Sequence, residues 1–161
     1  MNDYAIFDAC RNGDVAMLEK LYQENPAVVN TVDAKGFTPL ILAAYNNQKE
    51  VVDFLLSHGA AVDAQDVAGN TALMGVSFKG YQDIARALID AGADVNLRNS
   101  NGAPALTFAA TFGQSQIGEW LLQKGANPHL PDARGKTSLD HALIQENDAM
   151  VELIERYAPA G

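Results

Sequence analysis

The sequence predicts an all-α solenoid of stacked helix-turn-helix units with projecting, hairpin-like loops, and three observations carry that expectation. Gly36, Gly69, Gly102 and Gly135 recur every 33 residues, with similar neighbours in the same order each time. Each period holds two short apolar stretches, parted by Asn47, Gly80 or Gly113. Between periods lie polar, turn-rich segments at 63–69, 96–102 and 129–135. A fixed period of this length means that each unit buries its apolar face only by stacking on its neighbours. The chain therefore divides as a single domain, 1–161, with an N-terminal cap (1–32), three full repeats (33–65, 66–98, 99–131) and a C-terminal cap (132–161).

The opening segment lacks the Gly turn, yet 9–30 can be laid on the later copies with a one-residue adjustment near Asn25. Asp3 suits the N-cap of a helix over about 4–12; Gly13 parts it from a second over about 14–23, and Pro26 ends that one. In the repeats Thr38, Thr71 and Thr137 stand just ahead of an apolar run, where a hydroxyl can accept from a free amide of the first turn. Pro39 has its φ already set for that turn. First helices follow over about 38–46, 71–79, 104–112 and 137–145, and second helices begin near Gln48, Tyr81, Gln114 and Asn147. Val51, Val52, Leu55 and Leu56 have the spacing of one buried helical face, matched by Ile84, Ala85, Leu88 and Ile89. Gly59, Gly92 and Gly125 stand where a helix C-terminus needs a left-handed residue.

Ala43, Ala44, Ala109 and Ala110 keep the first helices slender enough for the next repeat to approach. In the last copy His141, Leu143 and Glu155 replace Leu42, Ala44 and Leu56, which suits an end with no following repeat, so a complete array is expected.

The residues Gly36-Phe37-Thr38-Pro39-Leu40, Ala43-Ala44, 51–56 and Gly59-Ala60, with Gly92-Ala93-Asp94-Val95-Asn96 as the fullest repeat end, resemble the ankyrin-repeat family over essentially the whole chain. Two departures stand out. The His that usually follows Thr-Pro-Leu in the family is Ile41, Met74, Thr107 and Asp140 here, so its bond to the neighbouring repeat is absent or replaced. Pro104 occupies the position of the capping Thr. The resemblance implies a non-enzymatic protein-interaction module that binds through its hairpin tips and concave face. It also admits a regulator that covers an enzyme's surface. The Leu88, Val95 and Asn96 spacing resembles ankyrin segments that are substrates of an asparagine hydroxylase.

Composition narrows the partners. With 161 residues, 48% of them hydrophobic, the chain suits a soluble globular domain. Its start, with an acid at Asp3, has no apolar run of signal-peptide length, and no stretch approaches the ~20 apolar residues of a membrane span. The net charge of −9 opposes a nucleic-acid partner. The lone Cys10 suggests a reducing, cytoplasmic setting. A monomer is expected. His58, His129 and His141 fall in different units with no Cys or acid at ligand spacing, and no phosphate-loop motif occurs. No catalytic, metal or cofactor site is therefore expected: His58 reads as an exposed helix end, His129 as a loop residue and His141 as a cap residue. Cys10 aligns with Ala44 and reads as a small buried residue.

The positions that vary between copies are the candidate partner site: Arg11, Lys35, Phe37, Tyr45, Asn46, Phe78, Lys79, Arg98, Phe112, Arg134 and Lys136. Six of them are Lys or Arg and none is Asp or Glu, although the chain carries 20 acids, with Asp33, Asp66 and Asp132 close by at the loop bases. A mildly basic face on an acidic body implies a partner with an acidic, partly apolar surface. Tyr45, Phe78 and Phe112 end successive first helices and point away from the packing face; exposed aromatics beside Arg and Lys are the composition of an interface hot spot. Phe37 could equally support its loop, and Trp120, just before Leu121, reads as packing.

Overall fold

In the computed structural model, described over residues 4–157, ten α-helices run in five pairs. They are α1 (Tyr4–Asn12) and α2 (Val15–Glu24), α3 (Pro39–Tyr45) and α4 (Lys49–Ser57), α5 (Ala72–Lys79) and α6 (Gln82–Asp90), α7 (Ala105–Thr111) and α8 (Ser115–Gln123), and α9 (Ser138–Ile144) and α10 (Asp148–Tyr157). Odd-numbered helices stack into one row and even-numbered helices into a second. A 3₁₀ turn, Pro26–Asn30, follows α2, so Pro26 begins this element as well as ending the helix. The cap expected of Asp3 lies outside the described residues.

Local chemistry sets each boundary. Thr38, Thr71 and Thr137 accept through Oγ1 from the amides of Ile41, Met74 and Asp140 at 3.1, 3.2 and 3.1 Å. Asp140 returns the favour by accepting from the Thr137 amide at 3.0 Å, a reciprocal cap. Pro104 holds the same position before α7 without a side-chain cap. The turns into the second helices pass through Asn47, Gly80 and Gly113 at φ 59°, 83° and 70°, and in the last pair through Glu146 at 55°. Glu146 has no glycine-like freedom there, a local cost that the sequence pattern did not signal. At the far ends the amides of Ala60, Ala93 and Ala126 reach back to the carbonyls of Leu55, Leu88 and Leu121, closing each second helix.

The projecting loops are tight turns; no described residue lies in a strand, so hairpin-like holds for their outline and not for a ladder. Asp33 Oδ1 accepts from the amides of Lys35 and Phe37, both at 2.9 Å, and Asp66, Asn99 and Asp132 repeat the arrangement. One backbone bond links each tip to the next: Val67 to Lys35, Ser100 to Ala68 and Ala133 to Asn101. The core runs the length of the stack, and Ala43, Ala44, Ala109 and Ala110 are fully buried in it. Leu56, expected on the buried face of α4, is only half-buried. Where the family's His bond would lie, the hydroxyls of Thr107 and Ser138 meet at 3.1 Å between α7 and α9. In the last pair Leu143 and Glu155 are exposed, whereas His141 turns inward and bonds Asp132 at 2.7 Å.

Candidate functional site

The C-terminal ends of α3, α5 and α7 bring three of the expected aromatics into contact. Tyr45 is the last residue of α3, Phe78 lies one before the end of α5, and Phe112 caps α7. Tyr45 and Phe78 lie nearly parallel, with centroids 6.5 Å apart, and Phe78 meets Phe112 edge-to-face at 4.6 Å. Tyr45 is 44% exposed and Phe112 49%. Phe78, between them, is half-buried. The Lys79 ammonium sits 4.7 Å from the Tyr45 ring centroid, a cation over an aromatic face.

Beneath the rings is an open groove of about 510 Å³, lined also by Phe37, Leu42, Met74, Gly75 and Phe108. Four of the chain's six phenylalanines (Phe37, Phe78, Phe108 and Phe112) line it. Phe37 is half-buried against the core and borders a second cavity, formed with Phe7, Arg11 and Lys35. Phe108 and Gly75 were not legible as site residues from their own surroundings. They share the register of Leu42 and His141, and following that column across the copies would have found them.

The six cations divide. Arg98 is committed internally: its guanidinium donates to the carbonyls of Gly102, at 3.0 Å, and Pro131. Arg11 pairs with Asp8 at 3.1 Å on an exposed surface. Lys35, Lys79, Arg134 and Lys136 are exposed and form no salt bridge among the described residues. Asn46 is exposed, with Nδ2 donating to the Leu42 carbonyl at 2.7 Å. The loop-base acids hold the turns through Oδ1. At Asp132, burial pushes the carboxyl up, but the hydrogen bond to His141, the Lys136 and Arg134 amides and the His141 charge together hold it below its ordinary value of 3.8.

Elsewhere, His58 corrects an expectation. It ends α4 but is half-buried, stacked on Phe54 at 3.9 Å and edge-on to Tyr22 at 4.7 Å, because an imidazole fits between two rings once its Nδ1 meets the Phe54 carbonyl at 2.7 Å. His129 is exposed. Trp120 packs half-buried against the core under the Arg86 guanidinium. Cys10 is fully buried, and desolvation pushes its thiol up to about 12. The Asn96 amide spans two repeats, donating to the Gly125 carbonyl at 3.1 Å and accepting from the Asn127 amide at 2.8 Å. Among the described residues no helix is long and apolar enough to cross a membrane, and no three His, Cys, Asp or Glu side chains converge as a metal site.

Comparison with known proteins bears on the whole stack. A family model described as "Ankyrin repeats (3 copies)" matches residues 6–99, and a second, "Ankyrin repeats (many copies)", matches 88–142. Similar curated proteins include Palmitoyltransferase akr1 of Emericella nidulans, 40% identical over 34% of this chain and 8% of that protein. BTB/POZ domain-containing protein 3 of Schizosaccharomyces pombe is 38% identical over 33% of this chain and 10% of its own. Human Ankyrin repeat family A protein 2 is 40% identical over 37% and 18%. The matched stretch is thus a small part of each relative. The first model alone spans more than half of the chain, in register with the stacked helix pairs; the chain belongs to the ankyrin-repeat family.

Proposed function

We propose that this chain is a protein-interaction module that holds a partner protein against the concave face formed by its first helices and against the turn tips beside it. Ankyrin repeats are protein-interaction units, which supplies the class. The observation that carries the location is the run Tyr45, Phe78 and Phe112, whose rings pack on one another at the open edge of the first-helix row. Aromatic surface held in this way loses little conformational entropy on binding, so more of the burial energy appears as affinity. Lys35, Lys79, Arg134 and Lys136, exposed and in no salt bridge among the described residues, favour acids on the partner and would speed encounter more than they deepen affinity.

Capture from host lysate tests this with wild-type protein beside the Tyr45→Ala, Phe78→Ala, Phe112→Ala triple variant. A protein retained by the first and lost by the second, with a Kd at least a hundredfold weaker for the variant at unchanged helical content, is the expected result. Equal affinity of the natural partner for both would sink the assignment.

A further inference from the structure

Among the described glycines, only Gly75 and Gly118 lack a left-handed backbone, so only these two need another reason to be glycine. At Gly118 a Cβ would lie 3.4 Å from the sulfur of Met150, a buried residue of α10, an ordinary packing distance. At Gly75 the approach is tighter, and it comes from the surface and not from the core. A Cβ at 75 would approach only the Tyr45 ring, at 3.2 Å, so any side chain here presses on a ring that stacks on Phe78 and lies beneath Lys79. Glycine inside a helix is nevertheless unfavourable relative to alanine. Its visible effect is on the surface: where α3 presents Leu42 and α7 presents Phe108, α5 presents bare backbone, and the groove lies over that gap.

The groove also has a direction. Phe37 is shared between it and the second cavity, whose cations are Arg11 and Lys35. Asp33 of that cavity and Asp66 of the groove each turn Oδ1 to two backbone amides but keep their charge, and the Arg11 pair with Asp8 is exposed and therefore cheap to exchange. Apolar ground thus passes through one ring to a cavity where two cations, Arg11 and Lys35, outnumber its one carboxylate, Asp33.

We propose that the gap at Gly75 is a specificity pocket for a linear segment of a partner protein, which seats apolar side chains over Gly75 and, beyond Phe37, carboxylates against Arg11 and Lys35. This rests on the aromatic run being the partner-facing surface. It adds what that surface selects: an apolar anchor joined to an acidic flank, in one order. At about 510 Å³ the groove lies within the range of sites that enclose a ligand group and exceeds one side chain, so a short segment fits it better than a single residue.

The probe is a phage-displayed library of random twelve-residue peptides panned on the full chain. Enriched peptides should each combine an apolar cluster with Asp or Glu to one side. The best of them, made synthetically, should lose at least tenfold in affinity for Gly75→Leu and a similar factor for the Arg11→Glu, Lys35→Glu pair, the latter loss shrinking with added salt. Leucine stands at the corresponding position of α3, so Gly75→Leu should keep wild-type helical content by circular dichroism; Gly75→Ala, with one added carbon, provides the milder step and a smaller loss. Peptides that bind the Gly75 variants and the charge-reversed pair as well as they bind wild type would overturn the proposal, as would a failure to enrich any. Peptides weakened by Tyr45→Ala and Phe112→Ala but indifferent to Gly75→Leu would overturn the pocket alone and leave the interaction surface standing. Indifference to all of them would remove both.

Discussion

At the scale of single residues, burial and partners decide which groups are reactive and which are spent. Cys10 is fully buried between the first helices and its thiol is pushed up to about 12, so thiolate is scarce in the folded state at pH 8. A chromogenic disulfide reagent at pH 8 should therefore leave native protein unlabelled over minutes and label one thiol at once in denaturant; rapid native labelling would contradict the packing. Asp132 is a second case, and it can be isolated because Asn99 already performs the same turn-holding task without a charge. Asp132→Asn keeps those amide bonds and removes the carboxylate that faces His141. A carboxyl whose folded pKa lies below its ordinary value stabilises fully above that value, 3.8, and ceases to do so as pH falls through the folded pKa. Urea denaturation should thus show the variant weaker by up to about 1 kcal/mol at pH 7, with the gap closing in acid as the pH falls below 3.8 and through the folded value. A gap that widened in acid would reverse the assigned sign.

At the scale of elements, the helices are short, so their ends matter as much as their faces. The first helices span seven or eight residues where they carry the groove, too short to persist without caps and tertiary packing. Thr71→Ala removes the cap of α5 and should cost about 1 kcal/mol by urea denaturation. Gly75→Ala in the same helix should return about 0.5 to 1 kcal/mol, less whatever the Tyr45 contact at 3.2 Å subtracts. Opposite signs from neighbouring positions would separate what the helix needs from what the groove needs. The same contrast explains how much could be read in advance. Thr38, Gly36 and Ala43 repeat because every unit must start, turn and stack alike, and repetition made the helices legible to within a residue or two. Gly75 and Phe108 break the repeat at one column, so periodicity had no power over them; their meaning appeared only when the three helices stood side by side. His58 was misplaced as exposed because its partners, Tyr22 and Phe54, come from two different helix pairs. Arg98 looked like a free cation for a similar reason: the Pro131 carbonyl it meets is one full period away.

At the scale of the whole molecule, those period-long bonds make the stack a chain of nearest-neighbour couplings, in which global stability is a sum of units and the interfaces between them. Asn30 and Asn96 each make two polar links to the following unit, donating to a glycine carbonyl and accepting from an amide, whereas Asp63 at the intervening position accepts one bond only. Removing Asn96 therefore weakens one interface, the one between the units that carry α6 and α8, and leaves each unit's own caps and core intact. Trp120 is the chain's single tryptophan and lies in α8, so its fluorescence reports the C-terminal side of that interface while far-UV circular dichroism reports every helix. In wild-type protein the two signals should fall together with urea, as coupled units unfold as one. In Asn96→Ala, with two bonds lost, the interface should weaken by about 2 kcal/mol and the tryptophan transition should move to lower urea than the helical one. Coincident transitions in the variant, shifted together, would mean that apolar contact between α6 and α8 carries the coupling and that the asparagine bridge merely decorates it.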